Sequence, residues 1–476
     1  MAPPLASDSL PPRRIPQHPG LPLFGSFLEA LRNPLGLLFD GTRNADYARY
    51  RFGPMTYILV NDPEGVQHVL VKNAANYVKS RTYDGVRHVI GAGLLTSEGE
   101  TWRRNRKLVQ PAFHGTRHLA FAQAFARGTD AAVDRWLGEH ADGARLDAHA
   151  EMMRLTLGLV GETLFGVDLD GEAARIGHAL DVTIRWAQAH IQSVVRVHPR
   201  IPTPSNVRFR RALATLDATA LRIIGERRRE ARPPNGDGAA NGSSTGAGST
   251  AGATQRDPLG ELIAAHDDAG KKLTDTELRD EVLTLVLAGH ETTANNLTWT
   301  LMLLSQHPDV ERRVFEEVER VVGQGPVRLS HLPALEYTER VLSESLRLLP
   351  PAWMLERDAL ADDVVCGWQV PRGATVAVCA YLLHRHRRYW DNPEGFDPDR
   401  WLPERSAARP RGAYLPFGDG PRVCIGKSFA LIEAKVCLAA MVRRVRLELE
   451  PGARIEPEPG VTLRPRGGMP MRLWRR

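Results

Sequence analysis

A single cysteine lies in the glycine-rich stretch FGDGPRVCIG, residues 417–426, and this combination can hold a reactive thiolate. Glycines at 418, 420 and 426 allow backbone turns that side chains would forbid and let a flat ligand approach closely. Arg422 puts a fixed positive charge beside the sulfur of Cys424 or beside an anionic group of a ligand. Nearby peptide N–H groups would lower the pKa of the thiol. A thiolate with one open face suits axial ligation of an iron porphyrin, whereas the alternative is a buried, inert cysteine.

A second candidate is AGHETT at residues 288–293, which lies inside a long apolar segment. A glycine in mid-helix costs about 1 kcal/mol relative to alanine, and small residues at 288 and 289 remove bulk from one face. The Thr292 hydroxyl can take a hydrogen bond from the helix and widen it locally. With Glu291 beside it, this groove could bind a small diatomic molecule and supply protons through water. The alternative is a slightly irregular core helix with a surface glutamate.

Two further motifs carry charge. ESLR places Glu344 and Arg347 on one helical face with apolar flanks, which predicts a buried pair. A buried pair needs further partners, and Arg400 in the segment FDPDRW can supply one. In WRRNR, Trp102 and Arg106 are pure donors four residues apart, and they suit a carboxylate such as a porphyrin propionate. The alternative for WRRNR is an ordinary basic turn of an amphipathic helix.

A long helix and small sheets must position these residues. The capping-box sequence TDTE at 274–277 opens an apolar run that continues to His307, where Pro308 ends it. At 1.5 Å per residue this predicts a helix about 50 Å long that crosses the middle of the protein. Residues 101–230 are expected to be mainly helical. Short strands are predicted in segments 54–72 (a hairpin followed by a helix), 364–380 and 445–474.

Two segments of the chain have an unusual composition. Residues 1–22 are predicted to form an extended, proline-rich N-terminal arm. Residues 232–256 are mostly Gly, Ser, Thr, Asn and Ala, and cannot bury enough apolar surface to become ordered. We interpret them as a flexible surface loop and not as a domain boundary, because the helical pattern resumes directly afterwards.

The chain has 476 residues, 42% hydrophobic and 25% charged, which is typical of a soluble globular protein with a sizeable core. Its four cysteines form no CxxC pair, which argues against zinc and dithiol sites and suggests a reducing compartment. Without a signal-length apolar core or 18 consecutive apolar residues, we expect a soluble, cytoplasmic protein with no transmembrane anchor. The net charge of +6 is spread among 56 acidic residues without an RNA-binding motif, so no nucleic-acid partner is expected. The basic run at 384–388 is interpreted as solvated surface.

In their order and spacing these motifs resemble the cytochrome P450 superfamily, and the resemblance covers nearly the whole chain. The cysteine loop is highly specific, whereas ESLR alone would mean little. The resemblance implies a mainly α fold with small antiparallel β-sheets, in which residues 23–476 form a single large domain. It implies heme b as the cofactor, with the Cys424 thiolate as the axial ligand. The residues that it places around the heme are Cys424, Trp102, Arg106, Arg357, Phe417, Arg422, Gly426 and Ala288.

The resemblance also implies roles for the remaining motifs. Glu291 and Thr292 would form the acid–alcohol pair that delivers protons during oxygen activation. Glu344, Arg347 and Arg400 would form the structural triad that holds the cysteine loop. The residues implied to line the substrate pocket are Ala288, Trp353, Met354, Leu355 and Val461.

The implied activity is that of a monooxygenase oxidising a hydrophobic small molecule, such as a fatty acid, a terpenoid or a secondary metabolite, with O2. Because the chain ends soon after the heme domain, we expect it to receive electrons from a separate ferredoxin or flavodoxin and its reductase. The protein is also expected to be a monomer. An acidic partner of this kind would dock on a basic surface. The residues predicted to contribute to that surface are Arg103, Arg104, Lys107, Lys427 and Lys435.

Three other functions fit the sequence less well. A heme-thiolate sensor without turnover could discard Glu291 and Thr292, and a peroxygenase, isomerase or dehydratase of the same fold commonly alters them. Because the pair is intact, both alternatives are disfavoured. A basic nucleic-acid binder lacks any recognition module.

Overall fold

The computed structural model describes residues 12–43, 45–193, 197–230 and 258–476. The predicted flexible loop at 232–256 and residues 1–11 of the predicted arm lie outside the described residues. The described α-helices are α1 (Phe27–Arg32), α2 (Pro34–Gly41), α3 (Pro63–Gln67), α4 (Asp84–Ile90), α5 (Gly99–Val109), α6 (His118–Glu139), α7 (Ala148–Val160), α8 (Ala173–Ile191), α9 (Pro204–Glu230), α10 (Pro258–Ala264), α11 (Asp275–Gln306), α12 (Pro308–Val322), α13 (Glu336–Leu348), α14 (Ala380–Leu383), α15 (Pro403–Ser406) and α16 (Lys427–Arg444).

The strands of the described residues are short and form four small sheets. They are β1 (Tyr47–Phe52), β2 (Met55–Val60), β3 (Tyr77–Lys79), β4 (Arg145–Asp147), β5 (Met354–Ala359), β6 (Asp363–Val365), β7 (Trp368–Val370), β8 (Thr375–Cys379), β9 (Val445–Leu449), β10 (Pro457–Pro459), β11 (Leu463–Pro465) and β12 (Pro470–Arg475). The sheet orders are β1-β2-β8-β5-β3, β4-β12-β9, β10-β11 and β6-β7. The mainly helical fold with small antiparallel sheets is confirmed, with one exception: β2 and β8 pair in parallel. Parallel neighbours need a long crossover, and most of the helices lie between these two strands.

Helix α11 is the central element. Its predicted capping box is present, because the Thr274 hydroxyl accepts from the Glu277 N–H while the Glu277 carboxylate accepts from the Thr274 N–H. The helix has 32 residues, or about 48 Å at 1.5 Å per residue, and Pro308 begins the next helix. It packs against α7, α9, α13 and α16 and is buried along nearly its whole length. A helix in this position can carry a reactive group into the interior of the molecule.

The core is one large cluster of apolar side chains contributed by helices from α2 to α16, as expected for a single large domain. A second, smaller cluster packs around the five-stranded sheet. Residues 12–22 lie along this sheet, where the Arg49 N–H donates to Pro16 O and the Ile15 side chain is buried. Among the described helices, none is both long and apolar enough to cross a membrane.

Candidate active site

The glycine-rich loop makes a tight turn before α16. Gly418 and Gly420 both have φ near +69°, a conformation that strongly favours glycine. A Cβ at Gly420 would lie 1.9 Å from Leu70 O, so no side chain fits there. Gly426 differs from the expectation: its φ is −87°, and a Cβ would meet only the Phe113 ring at 3.7 Å. Gly426 is therefore not needed for the turn itself.

Cys424 lies where this loop meets α16. Its N–H donates to Phe417 O at 2.9 Å, which closes the loop, and its side chain remains accessible. Burial among protein atoms raises the pKa of the thiol, whereas the Gly426 N–H and the charges of Arg106 and Lys427 lower it. The balance leaves the pKa of the Cys424 thiol above its ordinary value, with Arg106 and Lys427 offsetting part of the rise, and the sulfur is reachable by a ligand.

The other cysteines offer no comparable setting. Cys437 is completely buried in α16 and accepts a hydrogen bond from the Thr129 hydroxyl at 3.2 Å. Burial raises the pKa of the Cys437 thiol far above its usual value, and it raises that of Cys379 to about 12. Cys366 is exposed in the turn between β6 and β7.

An accessible strip interrupts the burial of α11. Ala288 is exposed and Gly289 and Thr292 are partly exposed, although the residues on both sides of them are buried. The Thr292 hydroxyl donates to Ala288 O at 2.7 Å, so it engages a helix carbonyl as the sequence predicts. The next residue, Thr293, faces Glu433 of α16, the helix that begins just after Cys424. On α11, the accessible strip is therefore adjacent to the face that contacts α16.

Glu344 is the centre of a buried ionic network. Its two carboxylate oxygens accept from Arg347 at 2.8 Å each, and Oε1 also accepts from Arg400 Nε at 3.2 Å. The Trp401 indole and the Asp397 N–H donate to the same carboxylate at 3.1 and 3.0 Å. The three ionic side chains are at most 1% exposed. A buried ion pair is tolerated when its groups are hydrogen-bonded in this way.

His384 connects this network to the cysteine loop, which the sequence did not reveal. Its Nδ1 contacts Arg347 O at 3.1 Å, and its Nε2 accepts from the Leu415 N–H at 2.8 Å, two residues before Phe417. The interpretation of residues 384–388 as solvated surface is wrong at its start, because His384 is fully buried and Arg385 is 8% exposed. Burial lowers the pKa of His384 to about 3, so the ring is neutral.

The predicted propionate partners cluster on one side of the loop. The Arg422 guanidinium lies over the Trp102 ring at 4.0 Å, and Arg106 donates to Val423 O at 2.8 Å. Arg422 pairs with Glu98 and donates to Ser97 O at 2.9 Å. Its guanidinium is therefore held by the segment just before α5.

Lys79 belongs to the same cluster and was missed, because no motif surrounds it. It lies directly opposite Arg357 in the antiparallel pairing of β3 with β5, where like charges repel. Burial, Arg357 and Arg422 hold the pKa of Lys79 well below its usual range. Glu98 accepts from the backbone N–H of Lys79 and pairs with Arg422, and the Glu356 carboxyl interacts electrostatically with Arg357. A ligand with two carboxylates would complete this site.

Comparison with known proteins identifies the family. A family model described as Cytochrome P450 matches residues 16–470. The chain belongs to the cytochrome P450 family. Cyclooctatin synthase of Streptomyces melanosporofaciens is 36% identical, with 91% of this chain and 90% of that protein covered. Pentalenene oxygenase of Streptomyces avermitilis is 34% identical, with 91% of each covered. The solved heme domain of cytochrome P450DA has a TM-score of 0.84 at 26% identity, with 98% of this chain and 99% of that one covered.

The chain is accordingly a heme-thiolate monooxygenase that oxidises a hydrophobic small molecule with O2. The residues described above fit this cofactor. An accessible cysteine, a strip of small residues on α11 and a cluster of basic side chains are the features that a flat, dianionic iron porphyrin requires.

In this P450, Glu291 does not share the accessible strip of Thr292. Its side chain is 3% exposed, and its Oε1 accepts from the Thr462 hydroxyl at 2.6 Å. Oε2 has no hydrogen-bond partner among the described residues. Burial raises the pKa of Glu291 above its usual value. The carboxyl therefore retains a proton to higher pH than an ordinary glutamate does.

The predicted pocket residues occupy several environments. Trp353 is 9% exposed and its indole donates to Gly460 O at 2.9 Å, which fixes the turn next to Val461. Successive strand residues point to opposite faces, so Met354 and Leu355 separate. Met354 packs against the main core, and Leu355 belongs to the second cluster.

The predicted basic surface is smaller than expected. Arg104 is engaged by Asp267 at 2.7 Å and Glu277 at 2.6 Å. Lys435 is 8% exposed and bonds to Leu332 O and Glu339. Both are wrong as members of the surface, because Lys435 is buried and Arg104 is held between two carboxylates. Arg103, Lys107 and Lys427 are exposed, and Arg103 and Lys107 each pair with one carboxylate that is also exposed, Glu100 and Asp268. A concavity of about 610 Å³ is lined by Trp102, Arg103, Arg106, Lys107, Gln110, Pro111 and His114.

Proposed function

We propose that this P450 oxidises a terpenoid at a heme ligated by Cys424. The observation that carries the ligand assignment is the contrast between two cysteines. Cys424 is accessible at the end of a turn fixed by Gly420, whereas Cys437 is sealed between α16 and Thr129. A ligand sulfur must be reachable by a planar group, and only the first of these two settings allows that.

The heme would be held on its acidic edge by the cation cluster. Lys79, Arg357 and Arg422 are the groups that would receive the two propionates, with Trp102 and Arg106 beside them. The bound heme supplies the chemistry of O2 activation and C–H oxidation.

The chain itself would manage protons on the opposite side. Thr292 is accessible and can orient water through its hydroxyl, and Glu291 is a buried acid one residue away. Exclusion of bulk water from this part of α11 would limit loss of protons and electrons to side products.

The terpenoid assignment rests on the relatives. Those named cyclooctatin synthase, pentalenene oxygenase and cyclooctat-9-en-7-ol 5-monooxygenase are 34–36% identical to this chain. The apolar side chains implied to line the pocket suit such a substrate. A panel of cyclic terpenes, fatty acids and aromatic compounds should therefore show the largest shifts of heme absorption with the terpenes. Equal or larger shifts with fatty acids would contradict the assignment.

Electrons would come from an acidic ferredoxin or flavodoxin that docks at the concavity beside α5. Arg103 and Lys107 line this concavity, and Lys427, at the start of α16, is also exposed. Reversing all three should raise the apparent KM for the partner at low salt, and reversal of exposed Arg145 on β4 is the control. We also propose a cytoplasmic location, where the free cysteines would stay reduced.

Two substitutions test the ligand. Cys424→Ser should abolish the thiolate-type absorption of the reduced carbon monoxide complex, whereas Cys437→Ser should retain it. The reverse outcome would assign the iron to Cys437.

Thr292→Ala should raise the fraction of electrons lost to peroxide, and full coupling in that variant would contradict the role of Thr292.

A further inference from the structure

A chain of side-chain hydrogen bonds ends at Glu291. The His149 Nε2 of α7 contacts Asn295 Oδ1 at 3.1 Å, and Asn295 Nδ2 donates to Thr462 Oγ1 at 3.0 Å. The Thr462 hydroxyl donates to Glu291 Oε1 at 2.6 Å. Thr462 is 8% exposed and Asn295 is fully buried, so these bonds are shielded from solvent.

The direction of these bonds follows from the donors available. A hydroxyl has one proton, and because Thr462 accepts from the Asn295 amide, its own proton points to Glu291 Oε1. The amide oxygen of Asn295 then requires a donor, which is the N–H at His149 Nε2. Glu291 Oε1 is consequently an acceptor. Because the carbonyl oxygen of a carboxylic acid accepts more strongly than its hydroxyl oxygen, this donor favours a proton at Oε2, the oxygen without a partner among the described residues.

The backbone on both sides of Thr462 is held by hydrogen bonds that do not involve the Thr462 hydroxyl. The Trp353 indole donates to Gly460 O at 2.9 Å, and the Trp299 indole donates to Leu463 O at 3.1 Å. The Leu463 N–H donates to Pro351 O at 2.9 Å. These bonds hold the turn between β10 and β11 on both sides of Thr462. Removing the hydroxyl should therefore leave the turn in place.

Charged groups surround the carboxyl on two further elements. Arg464 of β11 favours the carboxylate, and Asp181 of α8 disfavours it. Arg464 pairs with both Asp181 at 3.2 Å and Glu458 at 2.9 Å, so much of its charge is compensated. His149 of α7 faces the same network and its own pKa is lowered, mainly by burial. Thr462 is thus the group that contacts the carboxyl directly.

We propose that Thr462 is a positioning residue that directs the transferable proton of Glu291 to Oε2. When the proton leaves Oε2 for a water molecule, a carboxylate remains, and the Thr462 donor stabilises it at Oε1. A proton from solvent then restores the acid at the same oxygen. This inference rests on the proposed role of Glu291 in proton delivery, and it concerns how that acid is oriented and tuned.

The test compares Thr462→Val with two controls in the heme-loaded protein. Thr462→Ser keeps the hydroxyl. Asn295→Leu breaks the same chain one bond further away and leaves the contact between Thr462 and Glu291 intact. The pH titration of the Glu291 carboxyl is followed by infrared difference spectra in which Glu291→Gln identifies its band. Heme content and substrate-induced spectra show that each variant is folded, and Thr462→Ala replaces the valine variant if the latter yields no heme protein.

Loss of a hydrogen bond to the carboxylate should raise the pKa of Glu291 by about one unit in Thr462→Val. Thr462→Ser should match the wild type, and Asn295→Leu should stay close to it. In turnover, Thr462→Val should lower the product formed per electron about twofold or more, with serine restoring it. An unshifted carboxyl in Thr462→Val, or an equal shift in Asn295→Leu, overturns the inference.

The outcome for Glu291→Gln separates this inference from the function on which it rests. Full coupling in Glu291→Gln would remove the acid from proton delivery, and the role of Thr462 would fall with it. If Glu291→Gln lowers the product formed per electron while Thr462→Val behaves like the wild type, the role of Glu291 stands and only the positioning role of Thr462 is refuted.

Discussion

Glu433 is a buried carboxyl group for which the structure predicts a measurable effect on stability. The side chain is fully buried in α16, and neither oxygen has a hydrogen-bond partner of good geometry among the described residues. Burial raises the pKa of Glu433 from its ordinary 4.5 to about 8, and the facing Thr293 hydroxyl offsets part of that rise. The folded protein therefore binds this proton more tightly than the unfolded chain does.

The sign and size of the effect follow from linkage. Because the folded pKa is the higher one, stability falls as pH rises from about 4.5 to about 8 and then levels off. The loss attributable to Glu433 grows from about 1 kcal/mol at pH 5 to between about 4 and 5 kcal/mol at pH 8.5. For 476 residues the unfolding entropy is about 1 kcal/mol per degree, so the change of about 4 kcal/mol corresponds to about 4 °C in Tm.

The assay is thermal unfolding of the heme-loaded wild type and Glu433→Gln at pH 5 and pH 8.5, with one scan rate. The Tm of the variant minus that of the wild type should increase by about 4 °C from pH 5 to pH 8.5. Any pH-independent destabilisation by the amide cancels in this comparison. Glu317→Gln is the matched control. Glu317 is also buried, but it accepts from the Tyr337 N–H, the Thr338 N–H and the Thr338 hydroxyl at 2.7–2.8 Å. Its replacement should lower Tm at both pH values. An equal Tm difference between Glu433→Gln and the wild type at pH 5 and pH 8.5 would refute the conclusion that Glu433 is a neutral buried acid.

Three further outcomes are expected. Glu344→Gln should destabilise the protein by about 3–5 kcal/mol, because two arginines lose their buried counter-charge, as measured by urea unfolding. Gly420→Ala should yield little heme protein, since its Cβ would strike Leu70 O, whereas Gly467→Ala, also at positive φ but with open space, should lose only about 1–2 kcal/mol. Lys79→Met should retain heme about tenfold less well in transfer to an acceptor globin yet raise the Tm of the heme-free protein, because it removes a cation that repels Arg357. A variant with unchanged heme retention would remove Lys79 from the propionate site.

The chemistry of the site was predictable where it depends on local sequence. The turn of the cysteine loop, the capping box of α11 and the pairing of Glu344 with Arg347 each involve residues within ten positions of one another. Glycine, capping and helical spacing rules act at that range. The fold class followed from the same rules together with the resemblance to a family.

What sequence reasoning missed depends on contacts between distant segments. Lys79 meets Arg357 through the pairing of β3 with β5, and His384 meets Leu415 across the core. No local pattern marks either residue. The two errors on the basic surface have the same origin, because the acidic partners of Arg104 lie far along the chain at Asp267 and Glu277. A count of charges in a segment cannot show which of them are already paired.

The acid and the alcohol of α11 are neighbours in sequence but have different surroundings. A helix turns by 100° per residue, so adjacent side chains cannot share a face. Thr292 is accessible beside Ala288, and Glu291 is directed into the core towards Thr462. The acid can therefore be tuned by the β10–β11 turn without obstructing the accessible strip. Because Val461 directly precedes Thr462 in that turn and is implied to line the pocket, a substrate that displaced the turn would also displace Thr462. Substrate shape and proton supply would then be linked through one short hairpin.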